Sequence, residues 1–275
     1  MVCAWEALLS ILPRRLKPEV DRLGRDAMQE LRLRINAPAQ MVFQNESCWL
    51  PGRVTRDELI EVVNSASRYS PWATTGVPQG YVTAPGGHRI GLCGEVVYKN
   101  GRVEGIREVT SLCIRVARDF PGIASSADSL YGSILIIGPP GWGKTTLLRD
   151  LIRRISQKET IAVVDQRGEL FPNDFDRGKC TDVLTGCPKP EGINMVLRTM
   201  GPRCIAVDEI TEDADVRAIL QAANCGVRLL ATAHAACAAD LRRRVVYRQL
   251  MENKIFDSVI TLAKDRSYRI EGALP

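Results

Sequence analysis

Residues 138–146 read Gly138-Pro139-Pro140-Gly141-Trp142-Gly143-Lys144-Thr145-Thr146. The apolar run Ser133-Ile134-Leu135-Ile136-Ile137 leads into them, and Leu147-Leu148-Arg149-Asp150-Leu151-Ile152 leads out. The spacing G-x-x-x-x-G-K-[ST], set between a strand-like run and a helix-like run, is that of a loop cradling phosphates. A phosphate chain is met by several backbone N–H groups at a helix N-terminus. Pro139 and Pro140 have no N–H, so the donors run from Gly141 to Thr146. Gly141 and Gly143 let the backbone approach without a Cβ. Lys144 offers a mobile charge to the β and γ phosphates of ATP, and Thr145 offers a hydroxyl to Mg2+. Gly138, Gly141, Trp142, Gly143, Lys144, Thr145 and Thr146 are the candidate nucleotide-binding residues, and Lys144 is also a catalytic candidate. A chance match in a glycine turn would lack both flanking elements.

Working outward, apolar strands alternate with helical segments. SILIIG (133–138), TIAVVD (160–165), CIAVD (204–208) and VRLLATA (227–233) read as strands. Helices are expected over 144–157, about 191–200, 212–224 and about 236–251. IFDSVITLA and SYRIEGA add strands at the C-terminal end. Near-continuous apolar strands joined by helical crossovers imply a parallel sheet covered on both faces. Upstream the character differs. Residues 1–26 read as helix interrupted at Pro13 and Pro18, and Leu31 and Leu33 alternate with Glu30, Arg32 and Arg34 as in a half-buried strand. Thr55 with Glu58 is a capping-box signature opening a helix. Residues 80–116 hold short β-rich segments with turns at Pro85-Gly86-Gly87 and Asn100-Gly101. The stretch 119–132 is small, polar and turn-prone. The expected fold class is α/β: an N-terminal α+β domain over 1–125, then a P-loop NTPase domain with a parallel sheet over 126–275.

The second half of the candidate site is Cys204-Ile205-Ala206-Val207-Asp208-Glu209. A buried strand delivers a carboxylate to its tip, so Asp208 is the second metal candidate beside Thr145. Glu209 is placed to polarise the attacking water as a general base. The bland alternative is that one carboxylate caps the next helix. In Leu229-Leu230-Ala231-Thr232-Ala233-His234, Thr232 and His234 are both candidates to sense a γ-phosphate or position water, against a structural histidine. Asp165-Gln166-Arg167-Gly168-Glu169 bunches charge at a strand's C-terminal end, where ligands bind in α/β sheets. There Glu169 is a candidate to assist water or metal, and Arg167 to meet phosphate or a neighbouring subunit; a solvated loop is the alternative. Arg107, Arg115 and Arg118 near the seam are open between phosphate contact and surface ion pairs. The basic run Arg242-Arg243-Arg244 with Arg248 is open between a solvated face and an anionic partner.

Composition bounds the rest. The 275 residues are 45% apolar and 25% charged, which excludes disorder and fibrous classes. The net charge of +5 is too mild to demand a polyanion, although the basic residues are eight Lys against 29 Arg. Aromatics at 5% supply no evident stacking platform for single strands. Nine Cys without a C-x-x-C pair, and only two His, fit no common zinc pattern and suit a reducing compartment. At the N-terminus the apolar stretch precedes the charge, which is the wrong order for a secretory signal, and no apolar run is long enough to span a bilayer.

GPPGWGKTTLLRDLIR, AVVDQRGEL, VLRTMGPRCIAVDEI and LLATAHA, with GGHRIGLCGEVV and REVTSLCIRVAR in the first domain, resemble the stage III sporulation protein AA family. That family is similar to hexameric secretion and pilus ATPases. The resemblance covers nearly the whole chain. It implies a RecA-like ATPase domain, ATP and Mg2+ as ligands, and a homo-oligomeric, hexameric ring. It also implies a cytoplasmic location, peripheral to membrane-embedded channel proteins joining mother cell and forespore. It carries Lys144 and Thr145 over as the P-loop pair and Asp208 and Glu209 as the second acidic motif. Arg198 falls in the helix before the acidic strand. One departure stands out: Gln166 occupies a position where the family has an acidic residue. The leading expectation is a Mg2+-dependent ATP hydrolase. The rivals are a nucleic-acid-binding P-loop ATPase, with nucleic acid disfavoured as a partner, and a small-molecule kinase, for which no acceptor pocket or lid arginines stand out.

Overall fold

A computed structural model describes residues 2–68, 80–99, 101–172 and 175–272. The chain forms two compact units, one of Met1–Asp119 with Pro172–Phe175, the other of Phe120–Phe171 with Asp176–Pro275.

The first unit is a six-stranded antiparallel sheet with helices. Helix α1 (Trp5–Ile11) and α2 (Lys17–Gly24) come first, then β1 (Glu30–Arg34), β2 (Gln40–Val42), β3 (Ser47–Trp49), α3 (Arg56–Arg68), β4 (Tyr81–Thr83), β5 (Arg89–Lys99) and β6 (Arg102–Arg115). Spatial order is β3-β2-β1-β6-β5-β4. The expected alternation holds in β1, where Leu31 and Leu33 are buried and Glu30, Arg32 and Arg34 are partly exposed. Both join a core with Trp5, Leu8, Ile11, Met41, Leu59, Ile90 and Ile114. The capping box forms as read: the Glu58 N–H donates to Thr55 Oγ1 at 3.2 Å, and the Thr55 N–H to Glu58 Oε2 at 2.9 Å. Pro18 does not interrupt a helix; it sits in the first turn of α2, where a missing N–H has no consequence. The two β segments expected between 101 and 116 are one strand, β6. It pairs with β5 through three register shifts, and at Gly94 a Cβ would stand 1.7 Å from the Glu108 carbonyl oxygen. Asn100, half of the expected Asn-Gly turn, lies outside the described residues.

The second unit carries β7 (Ile134–Ile137), α4 (Lys144–Ile155), β8 (Ile161–Asp165), β9 (Thr181–Thr185), α5 (Lys189–Thr199), β10 (Cys204–Val207), α6 (Asp213–Asn224), β11 (Arg228–Ala233), α7 (Ala238–Arg243), α8 (Val245–Glu252), β12 (Ser258–Leu262) and β13 (Tyr268–Gly272). Its seven strands lie in the order β13-β12-β7-β11-β10-β8-β9. Every pairing from β12 to β9 is parallel and β13 is antiparallel, so the sheet is mixed at one edge rather than wholly parallel. One face presents Leu135, Ile137, Val164, Ile205, Val207 and Ala231 to Ile193 of α5, Val216 and Ile219 of α6, and Tyr247 and Leu250 of α8. Alternation leaves Ile134, Ile136 and Leu230 for the other face, and α4 packs against β7 and β11 with Leu147, Leu148 and Leu151 buried. Two features differ from expectation. Strand β9 stands where the sequence predicts none, and the single helix expected over 236–251 is two helices broken at Arg244, whose backbone is extended.

Besides Lys144, three charged residues of α4 are buried and hydrogen-bonded. Asp150 accepts the N–H groups of Gly122 at 3.0 Å and Ala124 at 2.8 Å, and an Arg153 guanidinium N–H at 2.7 Å. Arg149 donates to the carbonyls of Glu169 and Leu170. Arg153 reaches the Asp176 carbonyl at 3.1 Å. Helix α4 therefore fixes the loop after β8 from one side. Among the described residues no helix is long and apolar enough to cross a membrane, and all nine Cys are free thiols.

Candidate functional site

Chain order reverses at β7: the strand reached next, β8, lies three places to one side, while the late strand β12 lies beside β7 on the other. Ligands bind α/β sheets at such a switch point, beyond the C-terminal strand ends. Every loop carrying a candidate residue leaves the sheet at that edge. The P-loop follows β7, Asp165 to Glu169 follow β8, Asp208 and Glu209 follow β10, and His234 follows β11.

In the P-loop, Gly141 has φ +77° and Gly143 φ +99°, a region that a side chain makes strained. A Cβ at either would meet nothing within 4 Å, so the space over the loop is open for a ligand to approach the backbone. Lys144 is 6% exposed. Its Nζ donates to the carbonyls of Gly138 at 2.8 Å and Pro139 at 3.0 Å, and lies 2.9 Å from His234 Nδ1. An ammonium only donates, so Nδ1 accepts and the His234 ring proton sits on Nε2. That nitrogen lies 2.7 Å from Glu209 Oε1. Burial pushes the Lys144 pKa below the ordinary lysine value, and the charges of Asp208 and Glu209 oppose the shift.

Asp208 accepts from Thr145 Oγ1 at 2.7 Å on one oxygen and from Thr232 Oγ1 at 2.6 Å on the other. Glu209 stands at φ +54°, a strained backbone for a residue with a Cβ. Its carboxylate holds His234 through one oxygen and Arg167 at 3.1 Å through the other. Glu169 lines the same pocket as Asp208 and Glu209, together with Asp165, Gln166, Arg167 and Lys189.

Asp165 is a structural carboxylate. It accepts the N–H groups of Glu169 at 3.0 Å, Leu170 at 2.8 Å and Phe171 at 3.4 Å, closing the loop after β8 upon itself. Burial pushes its pKa up, those backbone N–H groups pull it down, and the charge of Asp208 raises it further.

The oxygen donors of Thr145 and Asp208 suit a hard cation such as Mg2+. Among the described residues no cluster of three or more His, Cys, Asp or Glu holds a metal by itself. A cation at Thr145 and Asp208 would therefore draw further oxygens from phosphate or water.

The structure brings Lys144, Thr145, Asp208, Glu209, Thr232 and His234 into one hydrogen-bonded set, with Arg167 at its rim. The other arginines stand elsewhere. Arg118 donates to the carbonyls of Gly24, Arg25 and Met28. Arg107 pairs with Glu95 and Arg115 with Glu30, both on the surface. Arg198 is exposed in the last turn of α5, and Arg242, Arg243, Arg244 and Arg248 are exposed on α7, α8 and the break between them. One site residue was not foreseen. Lys189, 8% exposed in the first turn of α5, lies 3.3 Å from Asp215 Oδ2 and 3.5 Å from Gln166 Oε1. The sequence held no signal for it, because β9, the strand that brings the first turn of α5 to the ligand edge, carries no apolar run.

Residues 5–273 match the family described as Sporulation stage III, protein AA. Stage III sporulation protein AA of Bacillus subtilis (strain 168) is 34% identical over 278 residues, covering 94% of this chain and 90% of that protein. Among solved structures, the pilus retraction motor PilT with bound ADP aligns with a TM-score of 0.63 at 18% identity, over 95% of this chain and 83% of that one. The Legionella pneumophila ATPase DotB aligns at 0.62 and 19% identity, over 93% and 78%. These two likenesses show a shared fold. The near end-to-end family match, together with the likeness to the Bacillus subtilis protein, shows that the chain belongs to the sporulation stage III protein AA family.

Proposed function

We propose that this chain is a Mg2+-dependent ATP hydrolase, with the second unit as its RecA-like nucleotide domain and the first unit as its N-terminal α+β domain, the boundary expected near residue 125 falling at Asp119. The observation that carries the reading is the convergence of Lys144, Thr145, Asp208, Glu209 and His234 within hydrogen-bond reach at the switch point of the sheet. The backbone N–H groups of Gly141 to Thr146 bind the phosphates of the substrate. Lys144 turns from its carbonyl partners to the β and γ phosphates. Thr145 and Asp208 would hold Mg2+, which supplies charge neutralisation to the phosphates when bound. Glu209 orients a water and accepts its proton as the water oxygen attacks the γ-phosphorus and the bond to the bridging oxygen breaks. The Glu209 oxygen facing Arg167 serves as base, because the Arg167 pair is the longer and more exposed one. His234 holds the other oxygen and so sets the carboxylate's direction. Glu169 is an accessory group at the pocket wall.

The family membership and the fold shared with a pilus retraction motor and the ATPase DotB support a wider reading. In it the chain works as a homo-oligomeric ring, hexameric in the motor-like form, on the cytoplasmic side of membrane-embedded sporulation channel proteins. No observation on the site favours the nucleic-acid reading over this one. The test is phosphate release with no added acceptor, which also separates hydrolase from kinase. Lys144→Ala abolishes release, and Glu209→Gln binds ATP but turns it over at least a hundredfold more slowly, an estimate in keeping with loss of a general base. Wild-type turnover by Glu209→Gln would sink the base assignment.

A further inference from the structure

Strand β11 runs between the P-loop strand and the acidic strand and carries one polar side chain with no exposure at all, Thr232. Its hydroxyl oxygen is 2.6 Å from Asp208 Oδ1 and 2.8 Å from the Glu209 backbone nitrogen. Its carbonyl accepts the Ile210 N–H at 2.9 Å. One residue therefore engages three successive positions of the acidic loop.

A hydroxyl has one proton and two lone pairs. The Glu209 N–H takes a lone pair, and the Asp208 carboxylate only accepts, so the single proton points at Oδ1. None is left for a phosphate, which separates Thr232 from a γ-phosphate sensor. We infer that Thr232 is a positioning residue for both carboxylates. It fixes Asp208 so that Oδ2 faces Thr145, and it holds the Glu209 backbone in the left-handed region. This deepens the ATP hydrolase reading and rests on it.

The two oxygens of Asp208 thereby have separate tasks, one toward the metal side and one toward the strand. Removing the Thr232 hydroxyl strips the donor from Oδ1 and leaves a part-buried Glu209 N–H unpaired. The loop that meets the phosphates keeps its own geometry. The effect therefore falls on metal-dependent steps.

Thr232→Val keeps the shape and loses the hydroxyl, while Thr232→Ser keeps the hydroxyl. ADP affinity is measured by calorimetry in EDTA and in Mg2+. In EDTA all three proteins bind within twofold of one another. Mg2+ tightens binding by the wild type and by Thr232→Ser, and Thr232→Val loses at least fivefold of that tightening. Without any nucleotide, hydrogen exchange of the Glu209 amide is at least tenfold faster in Thr232→Val and is restored in Thr232→Ser. If the valine variant does not fold, Thr232→Ala carries the same expectations. The inference is overturned if the valine variant keeps its Mg2+ dependence within twofold, or if it weakens ADP as much in EDTA as in Mg2+. Failure of the wild type to bind ADP would refute the hydrolase reading instead, and the Glu209 amide exchange would still decide the role of Thr232.

Discussion

Glu209 stands at φ +54° at the tip of β10, and its backbone conformation can be weighed apart from its carboxylate. A residue with a Cβ in the left-handed region costs roughly 1–2 kcal/mol relative to the right-handed one. Glu209→Ala removes the contacts to His234 and Arg167 but keeps the Cβ and the strain. Glu209→Gly removes the same contacts and the strain. Comparing the two cancels the contacts. Glycine recovers the strain but gives the unfolded chain extra freedom, worth about 0.4–1 kcal/mol against it. The difference favours glycine by about 0.5–1 kcal/mol, the reverse of the usual order. At about 2–4 °C per kcal/mol for a unit of this size, the glycine variant melts about 1–4 °C above the alanine variant. Thermal and urea unfolding of the two proteins, followed by circular dichroism, reads this directly. Alanine equal to or above glycine would mean that the Glu209 backbone is not held left-handed, and the argument from Thr232 would lose one of its two supports. Both variants lose hydrolysis alike, so any stability gained over the wild type is a measure of what the site trades for its chemistry.

Two further outcomes follow from buried charge. Lys144 has its folded pKa depressed by burial below the ordinary lysine value, so the unfolded chain binds more protons between the two values and stability rises with pH across that window. Lys144→Met lacks this rise. Its urea midpoint at pH 7 exceeds that of the wild type, the gap narrows by pH 10, and a constant gap would count against a desolvated ammonium. Asp150→Ala leaves Arg153 without its closest carboxylate and strands the N–H groups of Gly122 and Ala124, for a loss of about 3–5 kcal/mol by urea denaturation. Near-wild-type stability would show that water and Asp176 replace the carboxylate.

The parts of this chain that could be read in advance are those where one physical requirement dominates a local run. The P-loop needs glycines at positive φ, and they stand where the spacing puts them. The buried strands β7, β8, β10 and β11 need apolar residues on both faces, and they have them. Strand β9 escaped because Thr-Asp-Val-Leu-Thr pairs with a neighbour on one side only and needs no apolar run. The break at Arg244 carries neither Gly nor Pro. Arg149, Asp150 and Arg153 look like a solvated helix face, yet they are buried because distant loops bring their backbone groups to them. The site was legible as a set of residue types but not as a set of contacts. Nothing local says that β11 lies between β7 and β10, and that placement sets His234 against Lys144 on one side and Thr232 against Asp208 on the other.

That adjacency has a consequence for how the site must work if it handles ATP. Lys144 has three donors, and Gly138, Pro139 and His234 engage all three. Both oxygens of Glu209 are engaged, as are both of Asp208. A phosphate therefore enters by exchange, and each exchange gains only the difference between two charge-assisted hydrogen bonds. The exchanges are not independent, because His234 is partner to both Lys144 and Glu209. When Lys144 turns to a phosphate, Nδ1 loses its donor and the imidazole must find another, while Nε2 still holds the base. The γ-phosphate and the water-polarising carboxylate are thus linked through one ring. A site wired in this way responds to the arrival of a phosphate by altering the hold on the carboxylate that would activate the attacking water, which is the coupling that a motor of the proposed kind requires.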